Sequence, residues 1–272
     1  MEPQLVVADE SVQLLQITDM HLFEDGERTL LSVNTEQSFY AVIEDIIKKR
    51  HKFDAIVATG DISQDHSIAS YEKFIHGIKP LEKPCYWLPG NHDFIPSMGA
   101  VLPHPQIQDS THFLAGDYWQ VILLDSQVQG LPHGFLDAQQ LEFLDNKLAE
   151  HSQRHSLVLL HHNPVTIGSA WLDQHRLQKA KQLWEVLDRH SNVRTVLSGH
   201  VHQEFESERH GVRILATPST CIQFKVNSNE FSLDNLSPGW RSLTLHKDGR
   251  VESQVYRLPD GSFVPDFDAQ GY

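Results

Sequence analysis

The sequence predicts an α/β fold, built as one mixed sheet or as two packed sheets with helices outside. Three observations carry this reading. Short apolar runs alternate with helix-periodic segments from Val12 to Leu197. The chain then turns to consecutive strand-like pieces, Val212–Thr217, Arg241–His246 and Val251–Leu258. Polar residues able to bind metal recur just past the apolar runs, where α/β sheets hold ligands.

Taken in order, Val12–Thr18 is a buried strand that ends in Asp19-Met20-His21. In an extended segment i and i+2 point the same way, so Asp19 and His21 are expected to converge. Asn34, with Gln37 three residues on, starts a helix whose inward stripe is Phe39, Val42, Ile43, Ile46 and Ile47. Asp54–Thr59 is a second strand and runs into Gly60-Asp61; a helix follows over Ser67–Ile78. The third strand opens Cys85-Tyr86-Trp87-Leu88 and breaks at Pro89-Gly90, delivering Asn91-His92-Asp93 into a loop. Residues between Pro96 and Pro105 lack periodicity and are expected to be loop.

Trp119–Asp125 is the next strand, followed by an Asp137-capped helix with Leu141, Leu144 and Leu148 on one face. Ser156–Leu160 runs into His161-His162-Asn163-Pro164. One helix is expected from Asp173 to Arg189, with Leu177, Ala180, Trp184 and Leu187 inward. Val193–Leu197 then closes on Ser198-Gly199-His200-Val201-His202. Neither an internal repeat nor a separating linker is apparent, so residues 1–272 read as one domain.

Composition narrows the function classes. Lys+Arg number 22 against 36 Asp+Glu, a formal charge of −14. Such a surface repels nucleic acid and anionic lipid, so neither is an expected partner. Cys85 and Cys221 form no disulfide framework or zinc ribbon and read as reduced core residues. The start, Met1-Glu2-Pro3-Gln4, lacks a basic and apolar leader pattern, and no apolar run nears the roughly 20 residues of a membrane span. A cytoplasmic location is expected. Of the 18 histidines, most should lie at the surface, among them His51, His66 and His104.

The exceptions collect at strand ends: Asp19, His21, Asp61, Asn91, His92, His161, His200 and His202. Each alone has a plain structural explanation, such as a turn or a helix cap. Their recurrence past five buried strands does not. Oxygen and imidazole donors without thiolate favour Mn, Fe, Zn or Co, and the number of donors suits two ions sharing a carboxylate.

The ordered set Asp19-x-His21, Gly60-Asp61, Gly90-Asn91-His92-Asp93, His161 and Gly199-His200-x-His202 resembles the calcineurin-like metallophosphoesterases. Leu123–Gln127, Trp171–His175 and Ala216–Phe224 are similar to its class III cyclic-nucleotide phosphodiesterases. The resemblance implies a two-sheet β-sandwich flanked by helices (αββα) and two divalent ions, Fe²⁺ or Mn²⁺ before Zn²⁺ or Co²⁺. It implies Asp19, His21 and His202 on the first ion, Asn91, His161 and His200 on the second, and Asp61 between them. Substrate would meet His21, Asp61, Asn91, His92 and His202.

The implied reaction is hydrolysis of 3′,5′-cyclic AMP to 5′-AMP by a hydroxide held between the ions. His92 would act as proton donor or electrostatic stabiliser, and Asp93 would orient its ring. Asn163 departs from the family's usual residue after the paired histidines, in a loop that could border substrate. Alternatives are another metallophosphoesterase acting on a broad diester, a lipid-precursor pyrophosphate or a phosphoprotein. A scaffold that keeps the fold without chemistry is disfavoured by the full donor set.

Overall fold

The computed structural model describes residues 3–271. Met1 and Glu2, which entered the leader reading, lie outside the described residues, as does Tyr272. Two sheets are present, which resolves the choice left open by the periodicity. The first has the order β15 (Val251–Arg257), β14 (Gly239–Leu245), β2 (Val12–Ile17), β5 (Ala55–Thr59), β6 (Cys85–Leu88) and β7 (Ile107–Gln108). The second runs β1 (Gln4–Leu5), β8 (His112–Ala115), β9 (Trp119–Leu124), β10 (His155–Leu160), β11 (Val193–Ser198), β13 (Val212–Ala216) and β12 (Phe205–Arg209). β3 (Thr29–Leu30) and β4 (Val33–Asn34) form a small hairpin.

The central strands β2, β5 and β6 are mutually parallel, as are β9, β10, β11 and β13, so their carboxyl ends open on common edges. Period-two alternation sorts each strand between two cores. Val12, Leu14, Ala55 and Val57 face inward against Val121, Leu123, Leu157 and Leu159 of the other sheet. Their neighbours Leu15, Ile17 and Ile56 face outward and pack under helices. α1 (Thr35–Lys48), α2 (Ile68–Ile78) and α3 (Ile95–Val101) cover the first sheet with Phe39, Val42, Tyr71, Phe74 and Met98. α4 (Ala138–Glu150) and α6 (Ala180–Leu187) cover the second with Leu144, Leu148, Leu183 and Leu187. The result is the αββα arrangement.

The caps are as expected at α1 and α4: Asn34 accepts from the Gln37 amide and Asp137 from the Gln140 amide. Four expectations need correcting. Ile47, assigned to the inward stripe of α1, is 44% exposed. The 96–105 loop contains α3, with Pro96 in its first turn, where a missing N–H costs nothing. The helix expected from Asp173 to Arg189 is two pieces, α5 (Ala170–Asp173) and α6. Between them the amides of Leu177 and Gln178 donate to Asn163 and Gly134 carbonyls, not to the preceding turn, and Lys179 is left-handed. Finally, Asn163 is buried, with its side-chain amide donating to Val165 O, so it belongs to the scaffold and not to a substrate surface. Cys85 and Cys221 are buried and free, as read.

A polar bridge ties the sheets at their carboxyl ends. Gln16 of β2 donates to Thr59 Oγ1 and Ser198 O, and its carbonyl accepts from Thr217. Arg241 of β14 donates to Ala216 O and Thr217 Oγ1. Burial lowers the pKa of this guanidinium to about 10. No helix among the described residues is long and apolar enough to cross a membrane.

Candidate metal centre

The donors come from both sheets. Asp19 and His21 follow β2, Asp61 follows β5 and Asn91 follows β6; His161 follows β10, and His200 and His202 follow β11. The Asp19 amide donates to Gly60 O at 3.0 Å and the His21 amide to Asp61 O at 2.9 Å, which zips the first two loops together. Asp19, His21, Asp61, His200 and His202 all have left-handed φ, between 48° and 68°. Asp19 and His21 therefore converge through two left-handed residues and not through the extended backbone inferred from sequence. Asp and His tolerate this region better than branched residues do. Gly90 meets a different demand: a Cβ there would collide with the Asp61 amide and carboxylate.

The donor atoms form overlapping groups: Asp19 with His21 and His202, Asp19 with Asp61 and His161, and His161 with His162 and His200. Asp61 Oδ2 is 3.8 Å from His21 Nε2 and 3.3 Å from His161 Nε2, between the two ends of the cluster. Its Oδ1 accepts from the His92 amide at 2.8 Å. Asn91 Oδ1 lies 3.1 Å from His161 Nε2. Asp19 is aimed by the Thr18 hydroxyl at 2.7 Å and by the His200 amide at 3.1 Å.

Three imidazoles use Nδ1 to hold themselves in place. His21 Nδ1 meets Gln64 Oε1 at 2.6 Å, His161 Nδ1 meets Thr59 O at 2.7 Å and His202 Nδ1 meets Ile222 O at 2.9 Å. Each Nδ1 must then carry hydrogen, which turns an Nε2 lone pair inward. His21 Nε2 and His202 Nε2 face one another at 3.1 Å, and His200 Nε2 is buried without a hydrogen-bond partner. Lone pairs crowded this way are what a divalent cation requires, so the donor set fits transition metal.

Electrostatics agree. Burial disfavours charge on His161, but the adjacent Asp61 carboxylate outweighs it and lifts the imidazole to about 9. Burial would likewise raise Asp61, yet His161 and His92 hold it well below the usual carboxylate range. Burial, then the neighbouring imidazoles His162 and His161, press His200 well below its ordinary value. Burial drives His21 down to about 3 against the pull of Asp61. His21 and His200 are thus neutral imidazole, the form that ligates metal, whereas His161 keeps near neutral pH a proton that an incoming ion must displace.

The Asp93 carboxylate accepts from the Ile62, Ser63 and Gly90 amides and the Tyr71 hydroxyl, at 2.9 to 3.3 Å. It therefore pins the loop after β5 to the loop after β6. Burial, reinforced by Asp61, raises its pKa to about 7. Gln127 completes the clamp by donating to Gly90 O and Asp93 O. The His92 ring meets His21 edge-on at 4.9 Å.

His162, Gln64, Tyr71 and Gln127 went unread in the sequence as parts of the site. Only His162 carried a signal, its metal-competent ring beside His161. Its Nδ1 lies 2.8 Å from Ser126 Oγ, and its Nε2 is buried without a partner toward His200.

Above the cluster lies a cleft of about 640 Å³. Of the expected substrate contacts, Asn91 and His92 line it, while His21, Asp61 and His202 lie buried behind; His200 lines it as well. Its apolar lining includes Leu131, Trp171, Phe224 and Phe231.

Comparison with known proteins supplies the family. The chain is 53% identical over 266 residues to the 3′,5′-cyclic adenosine monophosphate phosphodiesterase CpdA of Vibrio vulnificus, covering 98% of this chain and 97% of that one. It is 50% identical to the CpdA of Escherichia coli K12, over 96% and 95% of the two chains. A dimetal phosphatase from Danio rerio shares the fold, with a TM-score of 0.64 at 17% identity, covering 90% of this chain and 98% of that one. Residues 12–204, which contain every donor named above, match the calcineurin-like phosphoesterase family, and the chain belongs to it.

Proposed function

We propose that this chain hydrolyses 3′,5′-cyclic AMP to 5′-AMP. The observation that carries the reading is the complete, buried N/O donor cluster opening on a cleft, in a chain similar over nearly its full length to named cyclic AMP phosphodiesterases. Asp19, His21 and His202 would hold one ion, Asn91, His161 and His200 the second, and Asp61 would face both. His162 is a further candidate beside the second ion. Mn, Fe, Zn and Co all suit this mixed set, and the family resemblance puts Fe²⁺ or Mn²⁺ first. When bound, such ions supply Lewis acidity and make water acidic enough to attack phosphorus at neutral pH.

The chain's own residues do the rest. Asn91 and His92 meet the substrate phosphate at the cleft floor, and the Asp61–His92 amide bond fixes where His92 enters. His92 stabilises the leaving ribose oxygen by hydrogen bonding or proton donation. Asp93, Gln127 and Tyr71 keep the loop that carries both residues from shifting. Among the described residues lining the cleft there is no Lys or Arg to pair a second phosphate, which favours a monophosphate diester over a pyrophosphate. The shared core between the sheets supports one domain over residues 1–272.

The test is a hydrolysis panel of cyclic AMP, cyclic GMP, an aryl phosphodiester and an aryl monoester. Cyclic AMP should be turned over most efficiently and give 5′-AMP alone. Efficient turnover of the aryl substrates with none of cyclic AMP would sink the proposal.

A further inference from the structure

We propose that the aromatic end of the cleft, centred on Trp171, is the subsite that stacks the nucleobase. The inference rests on the cyclic-nucleotide reading and names what that reading leaves open, the residues that select the nucleoside end. The cleft lining holds two chemically distinct groups. Asn91, His92 and His200 belong to the donor side, and Trp171, Phe224 and Phe231 form an aromatic group joined to it by the stack of Phe224 on His202. With no Lys or Arg lining among the described residues, an anionic group gains nothing away from the donors. What the aromatic group rewards is an uncharged, flat ring. The natural occupant is a molecule with a phosphate at one end and a purine at the other.

The indole is fixed before any ligand arrives. Its ring meets Phe224 at 4.9 Å and 83°, Phe231 at 5.2 Å and 66°, and His175 at 6.3 Å and 88°. Three edge-on neighbours set the plane of the platform, so little rotamer freedom is lost on binding. The turn before it is rigid too, because Asp173 accepts from the Ile167 and Gly168 amides. Phe224 also stacks on His202, with centroids 4.4 Å apart and planes 18° apart. One ring therefore joins the platform to the donor cluster and sets the span between base and phosphate. The volume of about 640 Å³ is that of a small-molecule site.

Base–aromatic stacking is worth about 5- to 150-fold in affinity. The test is equilibrium dialysis of 5′-AMP and of ribose 5-phosphate against metal-loaded protein, neither ligand being a phosphodiester. The parental protein should prefer 5′-AMP by about 5-fold or more. Trp171→Phe, which retains an aromatic face, should keep most of that preference. Trp171→Leu, equally apolar but without a face, should bring the two ligands within about twofold of each other. Ribose 5-phosphate binding should be unchanged in both variants, which reports an intact donor cluster. Equal binding of the two ligands by the parental protein, or equal preference in the Phe and Leu variants, would overturn the subsite. That failure is separable from failure of the functional reading: an absent base preference leaves cyclic AMP turnover standing, whereas absent turnover is read in the hydrolysis panel.

Discussion

Asp61 Oδ2 stands 3.3 Å from His161 Nε2, although Asp61 follows a strand of one sheet and His161 a strand of the other. The same oxygen is 3.8 Å from His21, which binds the two ends of the donor cluster into one unit. His202, by contrast, belongs only to the end that contains Asp19 and His21.

Metal stoichiometry should follow this difference. Parental protein should carry close to two ions per chain, lose activity to a strong chelator and regain it with Mn²⁺ or Fe²⁺. Asp61→Ala should fall toward zero and His202→Ala toward one, by elemental analysis of purified protein. Two tightly held ions in Asp61→Ala would contradict the shared position.

His92 lines the cleft, and its ring is packed edge-on against His21. His92→Ala should keep its metal and lose roughly 10²- to 10⁴-fold in kcat, the range for acid–base groups. Parental kcat in this variant would remove His92 from the reaction.

Asp93 acts on backbone, so its loss should be felt as stability. Asp93→Ala leaves three buried amides and a hydroxyl without their acceptor. Each orphaned donor costs about 1–3 kcal/mol, so the midpoint in urea should drop sharply together with metal retention. A variant of parental stability that loses only kcat would favour the ring-orienting role instead.

The sequence disclosed the candidate donors because chemistry limits their type: all are Asp, Asn or His, and each lies within four residues of the carboxyl end of a strand. It disclosed strands and helices but not the number of sheets, because Val12–Ile17 and Ala55–Thr59 are buried on both faces and show no alternation; the two-sheet layering came from the family resemblance. The left-handed backbone at Asp19, His21 and Asp61 stayed hidden, since amides of one loop bonding carbonyls of the next is a tertiary fact. The split of the helix expected from Asp173 had the same origin, as Leu177 and Gln178 spend their amides on distant loops. β12 was missed because Phe205–Arg209 is an edge strand with alternate charges and no apolar run.

His51, expected at the surface, packs edge-on against Trp240 at 5.3 Å and Tyr256 at 5.4 Å, and burial lowers its pKa. Asp45, nearby, is engaged by the Trp240 indole and by Lys49. A depressed folded pKa means this contribution to stability is complete above about 6.5 and fades as pH falls through the folded value. Thermal midpoints from pH 7.5 down to 5 should therefore decline less steeply in His51→Phe than in the parental protein. Parallel slopes would show that His51 titrates without consequence for the fold.

The polar bridge of Gln16 and Arg241 bears on the order in which the molecule can be completed. His21 and His202, whose nitrogens lie 3.1 Å apart, are separated by 181 positions in the chain. Closing so long a loop is entropically unfavourable until other contacts fix the register. Gln16 reaches Ser198 O and Arg241 reaches Ala216 O, and both contacts need strands made late in synthesis. A nascent chain that has released only β2, β5 and β6 holds Asp19, His21, Asp61 and Asn91 but none of the imidazoles that follow β10 and β11. Tight uptake of metal is thereby deferred until translation is nearly finished, and an ion in the centre certifies that both halves of the sandwich have met.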